Sequence, residues 1–343
     1  MTNGLQIRNL IVGLMAVAAV GFAGCSKPDE TATGPDKAGN KQAEGKKFKI
    51  AGIIMQDDEF FRMVDFGMTD AAAKAGVELE HGTSNGKPEK EAELINTYMA
   101  QGVDAIIISP ISKTQSIQML KNASDKGIKI VCQNNPLDAD FPVAAIESDQ
   151  VDLGTQTGKE AVKYIQEKMG GKANIAILAF KSQVREQSEA RVGGFKAEVQ
   201  KLPGVKIVAE QDAWKIEQIS KVSDVLTAHP EVNLIWAANE GGTAGSVMAV
   251  RNAGKVGKVV VFGTDASEKL VEFLEAQDNV LQAITSQKPS EVGSTAVEDA
   301  VKALKGEEIK DKKVILKGIC LTRTNPNGIA DFKKQLAIWM KKG

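Results

Sequence analysis

From Phe48 to Leu316, short apolar, β-branched runs alternate with longer segments of helical spacing, and few folds satisfy that alternation. The runs 48–54, 105–109, 128–132 and 143–146 read as strands buried on both faces, as a parallel sheet requires. Val77–His81 alternates apolar with charged residues, as an edge strand would. Helical spacing fills 61–75, closed by Gly76, then 89–101 and 113–126. A second series follows a helix over 153–168, with strands at 173–178, 206–210, 234–237, 259–262 and 280–284. Its helices fall near 189–201, 216–228, 245–252 and 267–276, and Leu202-Pro203-Gly204 and His229-Pro230 act as helix stops. A helix at 291–304, a strand at 314–316 and an amphipathic helix at 331–340 complete the chain. The fold class is therefore α/β, with two similar doubly wound parallel-sheet lobes.

The first 46 residues stand outside this pattern. Arg8 precedes an uninterrupted apolar run, Leu10 to Gly24, which has the shape of an export signal and is short for a membrane span. Residues 26–46 are rich in Lys, Asp, Thr, Gly, Asn, Gln and Pro, without aromatics or apolar periodicity, and read as a flexible tether. The folded part is expected to begin near Lys47.

With 43% hydrophobic and 25% charged residues and a net charge of -1, the rest is an ordinary globular chain without the basic block that nucleic acid demands. Cys25, Cys132 and Cys320 form no metal-like cluster; the apolar neighbours of the latter two favour buried free thiols, although spacing alone leaves pairing open. His81 and His229 have no nucleophile or ligand partner at recognisable spacing, so no catalytic group, metal or cofactor is expected. Gly241-Gly-Thr-Ala-Gly245 is the nearest approach to a phosphate-cradling loop, and reads better as a small-residue helix start facing a cleft.

The functional signal lies in Met55-Gln56-Asp57-Asp58-Glu59-Phe60-Phe61. It follows the first strand and enters the first helix, the edge at which open α/β sheets bind ligands. Three acids and two aromatics are concentrated there, although Phe60 and Phe61 could equally be core.

Several further positions, in register over about residues 47–325, resemble the periplasmic sugar-binding proteins of ABC importers, the ribose/galactose-binding type. Asp57-Asp58-Glu59-Phe60-Phe61 stands where that family has a polar pair and Phe-Phe, and Ile107-Ile-Ser109-Pro110 resembles its Ile-Asn-Pro. Arg191-Val-Gly-Gly-Phe195 matches its Arg-x-x-Gly-Phe, Asn239-Glu240 its Asn-Asp, Gly263-Thr-Asp265 its Gly-x-Asp, and Gln287-x-Pro289 its Gln-x-Pro. Phe22-Ala-Gly-Cys25 resembles a lipobox, which would make Cys25 the lipidated amino terminus of an exported protein held at a membrane, in the periplasm or on the cell surface.

The resemblance implies a type I periplasmic binding fold with a three-segment hinge, crossing near 149–150, 287–288 and 316–319. The first lobe would hold 47–149 and 288–318, the second 150–287 and 319–343. Phe61 first, then Phe60, would press one face of a ligand and Trp214 the other, while Arg191, Asn239, Asp265 and Gln287 hold hydroxyls. Asp57, Asp58, Ser109, Asn134 and Asn135 would complete the site. Three have a plainer alternative: a surface ion pair with Glu189 for Arg191, a helix cap for Asp265, and core packing for Trp214. Trp236 is assigned to core.

Two departures bear on the ligand. Many relatives carry Asp-Arg where this chain has Asn134-Asn135, and ribose binders have Asn where it has Asp58. The site loses a cation and gains a carboxylate, which accepts hydroxyl or ammonium protons and repels anions. A neutral sugar, polyol or cyclitol is expected, with an amine-bearing ligand left open. The resemblance implies a monomer that delivers this ligand to a membrane permease. A receptor of the same fold serving a chemoreceptor or sensor kinase is the alternative, and an exported enzyme has only the acids in its favour. A transcription regulator is opposed by the export signal.

Overall fold

The computed structural model describes residues 47–340; the signal-like run, Cys25 and the tether lie outside the described residues. The chain begins β1 (Lys49–Ile54), α1 (Glu59–Ala75), β2 (Glu78–Thr83), α2 (Pro88–Gln101), β3 (Ala105–Ile108), α3 (Ile117–Asp125), β4 (Lys129–Gln133) and β5 (Ala144–Ser148). It repeats with α4 (Gln150–Lys168), β6 (Lys172–Ala179), α5 (Arg185–Val199), β7 (Gly204–Asp212), α6 (Ile219–Ala228), β8 (Leu234–Ala237), α7 (Glu240–Asn252), β9 (Val260–Thr264), α8 (Glu268–Glu275) and β10 (Leu281–Ser286). It closes with α9 (Pro289–Lys305), β11 (Lys313–Leu316), β12 (Ile319–Thr322) and α10 (Pro326–Met340).

Two six-stranded sheets result, ordered β11-β5-β4-β3-β1-β2 and β12-β10-β9-β8-β6-β7. Shifting each label of the first sheet's 5-4-3-1-2 core by five gives the core of the second, so one architecture occurs twice. β2 and β7 are edges, as the weak apolar pattern of Val77–His81 implied. The chain passes between sheets at β5–α4, β10–α9 and β11–β12. β12 was not anticipated: four residues at an edge, antiparallel to β10, leave too short a pattern to read. Several helices also start earlier than their apolar spacing suggested, α4 at Gln150 and α5 at Arg185, because their first turns carry polar residues that break the apolar pattern. α3 is instead shorter than expected, its approach held as a turn by Glu91, which accepts from Ile111 N and Ser116 Oγ.

Apolar clusters cover both faces of each sheet. Trp236 is fully buried, stacks on Phe195 at 4.5 Å and donates to Thr157 Oγ1 at 2.9 Å, a core residue as expected. Cys132 and Cys320 are free, and burial pushes both thiols up to about 12.

Each lobe has a helix pair that meets over glycines. A Cβ on Gly67 would lie 2.1 Å from Ser290 O, and one on Gly293 2.0 Å from Val64 O, so α1 and α9 touch backbone to backbone. In the second lobe the same holds for α4 and α5, with Gly154 against Arg191 O at 1.9 Å and Gly194 against Val151 O at 2.2 Å. The glycine of Arg191-Val-Gly-Gly-Phe195 thus seats α5 on the hinge-proximal turn of α4 and aims Arg191 at the opening between sheets. Gly194→Ala is expected to force the helices apart and to destabilise the protein by about 1–3 kcal/mol, read as a lower urea midpoint, whereas Gly193→Ala, with nothing within 4 Å of its Cβ, leaves the midpoint unchanged or raises it.

Candidate functional site

The carboxyl ends of both sheets face a cleft of about 250 Å³ between the lobes. Its size lies near the lower end of small-molecule pockets, roughly 300–1,000 Å³.

One wall starts at the end of β1. Asp58 is the N-cap of α1: its Oδ1 accepts from Phe61 N at 2.9 Å, and Oδ2 accepts from Gln56 Nε2 at 2.5 Å. Burial raises the carboxyl pKa against the pull of those two donors. The cap fixes the entry of α1 and hence the two rings after it, which meet edge to face at 5.1 Å. Both line the cleft, but Phe61 is only 3% exposed and belongs to the first lobe's core, so Phe60 offers the more open ring. Sequence had ranked them the other way, because order along a helix does not show which ring the core takes first.

The opposite wall is organised by Arg191, 3% exposed on α5. Its Nε donates to Gln150 Oε1 at 2.7 Å, and Nη1 donates to Ala238 O at 2.9 Å and reaches both Asp265 oxygens at 3.5 Å. The guanidinium also sits 5.0 Å from the Phe180 ring centre. Burial lowers its pKa, and the Asp265 carboxylate opposes that. Asp265, in the left-handed region at φ 69°, accepts from Gln287 Nε2 at 2.7 Å and Glu240 N at 3.1 Å. The surface-pair alternative for Arg191 fails, since Glu189 faces Arg185. The capping alternative for Asp265 fails too, since Ser267 caps α8.

Asn239 is the N-cap of α7, accepting from Gly242 N at 3.2 Å and donating through Nδ2 to Trp214 O at 2.9 Å. Gly241-Gly-Thr-Ala-Gly245 is therefore the opening of a helix and no phosphate loop. Trp214 lines the cleft half-buried, its Nε1 donating to Ser182 Oγ at 3.0 Å and its ring 4.7 Å from Lys215 Nζ. Asn134, at φ 62°, lines the cleft from the end of β4.

Three expected residues lie outside the cleft wall. Asp57 faces solvent and pairs with Arg62 at 3.2 Å. Ser109 is fully buried. Asn135 is buried behind the wall, donating to Pro110 O at 3.1 Å and accepting from Gln187 Nε2 at 2.7 Å. Sequence reasoning missed Gln56, Phe180, Gln187 and Glu240, which do line it. The strand-end rule that flagged Asp58 applied equally to Phe180 after β6, and Gln187 lies one turn before Arg191 on the same helical face. Glu240 was quoted only as part of a motif. Burial raises its carboxyl to about 7, against a hydrogen bond from Ser267 and reinforced by Glu59, Asp265 and Asp58.

Comparisons with known proteins agree with this geometry. The chain is 28% identical over 282 residues to the ABC transporter periplasmic-binding protein YphF of Escherichia coli (strain K12), covering 80% of this chain and 85% of that one. It is 30% identical over 263 residues to the ribose import binding protein RbsB of the same organism, covering 75% and 84%. A solved ABC transporter periplasmic solute binding protein from Actinobacillus succinogenes 130z, with bound D-allose, superposes with a TM-score of 0.75 at 28% identity, covering 82% of this chain and 99% of that one. Residues 53–308 match the periplasmic binding protein domain, and the chain belongs to that family of solute-binding proteins, with its type I two-lobed fold.

Proposed function

We propose that this protein captures a neutral polyhydroxylated small molecule, a sugar, polyol or cyclitol, between its lobes and delivers it to an ABC permease. The observation that carries the reading is the buried Arg191–Asp265–Gln287 network on one wall, facing the Phe60 ring and Asp58 on the other. Fixed charged groups suit hydroxyls at a ring's edge, each charge-assisted hydrogen bond contributing about 1.5–3 kcal/mol. Phe60 and Trp214 suit its C–H faces, at about 1 kcal/mol beyond burial for such contacts. The Asp58 carboxylate disfavours anionic ligands. The similarity to ribose- and allose-binding proteins supports the same class.

In this reading the first lobe comprises 47–149 and 288–318, the second 150–287 and 319–343, and Asn134, Asn239 and the Phe61 edge join the contact set. Asn135 supports it from behind through Pro110 O and Gln187, while Asp57 and Ser109 make no contact in it. The apolar run before Phe22-Ala-Gly-Cys25 supports an exported protein, in this reading a monomer, tethered to a membrane through Cys25 by residues 26–46.

A thermal-shift screen tests the ligand class. A neutral sugar, polyol or cyclitol at a hundredfold excess over its Kd is expected to add about 2.7 kcal/mol and raise Tm, while sugar acids and phosphates leave it unchanged. If only anions raise Tm, the electrostatic reading is wrong. Asp58→Asn keeps an N-cap of similar strength, so the free protein's Tm should hold while the order of ligand affinities changes. Arg191→Met leaves the Asp265 carboxylate without its buried cation and is expected to cost about 3–5 kcal/mol in urea denaturation.

A further inference from the structure

Two hydrogen-bonded contacts join the lobes across the cleft mouth. Glu268 N, at the amino end of α8 in the second lobe, donates to Glu59 Oε1 of α1 in the first at 3.3 Å. Gln187 Nε2 on α5 donates to Asn135 Oδ1 at 2.7 Å and to Asn134 O at 3.3 Å. Met63 of α1 is buried within the second lobe's apolar cluster, so the lobes are closed. The first bond is a carboxylate seated on a helix amino terminus, where the free N–H groups and the helix dipole favour negative charge. It also brings acids from both lobes together. Glu240, the first residue of α7, faces Asp58 and Glu59 from α1 and Asp265 from the end of β9. Glu268 stands beside Glu59. Of the cations nearby, Arg62 pairs with Asp57 while its charge still pulls on Asp58 and Glu59, Arg191 pairs with Asp265, and Lys215 lies on the face of Trp214.

We propose that Glu59 latches the closed lobes and that Glu240, beside it, takes up a proton when they close, so that capture of a neutral ligand is proton-linked. This rests on the binding-protein reading for its ligand but not for the closure itself. The balance is simple: one proton moves from solvent to the Glu240 carboxylate, no other covalent bond is made or broken, and opening returns it.

The direction follows from linkage. In the closed protein the Glu240 carboxyl sits at about 7; opening would withdraw Asp58 and Glu59 and admit water, lowering it toward the ordinary glutamate range. A group whose pKa is raised in one state favours that state as pH falls through the raised value. Closure is therefore weakest above about pH 7 and gains as pH falls from there toward the ordinary glutamate range, by roughly tenfold or more in the closed-to-open ratio. Below that range both states are protonated and the gain is constant.

Small-angle scattering of the full chain without ligand, at pH 5.5 and pH 8, reads the closed population directly. A smaller radius of gyration at pH 5.5 is expected, and Glu240→Gln, neutral at both values, should remove most of the difference. Gln187→Ala opens the protein equally at both pH values, because that second inter-lobe bond contains no titrating group. Glu59→Ala should open it as well and shrink the pH response. The proposal is overturned if the wild-type radius does not change with pH, or if Glu240→Gln keeps the full response. Should Glu240→Gln fail to fold, a carbon-13 titration of the wild-type glutamate carboxyls decides the matter: no carboxyl titrating near 7 sinks the idea. Neither measurement requires a bound solute, so a failed ligand screen and a failed proton linkage remain separate results.

Discussion

A guanidinium taken out of water must be met by fixed acceptors, and Arg191 finds them on three different elements. Gln150 comes from the first inter-sheet crossing, Ala238 O from the end of β8, and Asp265 from the end of β9. Asp265 in turn binds Gln287 at the second crossing and the first amide of α7. One buried charge therefore ties two hinge segments to two strand ends. Breaking such a pair costs more than forming it gains, because the remaining ion is stranded in a low dielectric. The wall of the second lobe is consequently rigid where a ligand would need it to be.

That rigidity depends on backbone proximity. Arg191 can reach Gln150 because α4 and α5 cross with no side chain between them at Gly154 and Gly194. The first lobe repeats the device with Gly67 and Gly293, but there the crossing positions α1, whose cap carries Asp58 and the two Phe rings. The shared strand order of the two sheets makes these helix pairs counterparts. In each lobe a glycine-mediated contact sets the angle of the helix that supplies the cleft.

Much of this was legible in the chain. Parallel strands buried on both faces write themselves as unbroken apolar runs, so β1, β3, β4, β6, β8 and β9 were found within a residue or two. Arg191, Asp265 and Gln287 stood out through the resemblance to sugar-binding proteins, and Asp265 and Gln287 each directly follow a strand. What stayed hidden was orientation. Asp57 and Asp58 are adjacent, yet Asp58 caps a helix and Asp57 faces solvent. Asn135 could not be told from a contact residue, because its partner Gln187 is distant in sequence and comes from the other lobe. β12 was missed because an antiparallel edge strand of four residues buries too little to leave a pattern.

The division of labour between the walls bears on how capture proceeds. Arg191, Asp265, Gln287 and Asn239 are bonded to second-lobe or hinge partners, and none of those bonds crosses the cleft. This wall therefore keeps its shape whether the lobes are open or closed. On the proposed reading a solute first meets a preorganised polar surface, and closure then adds Phe60, Asp58 and the removal of water. The contacts made before closure set encounter affinity; only those added by closure can shift the open-to-closed balance, since a ligand moves an equilibrium by its differential affinity alone. The first lobe thus decides whether a bound solute closes the trap. Its acids, which separate this chain from the ribose-binding pattern, then act on closure as much as on recognition.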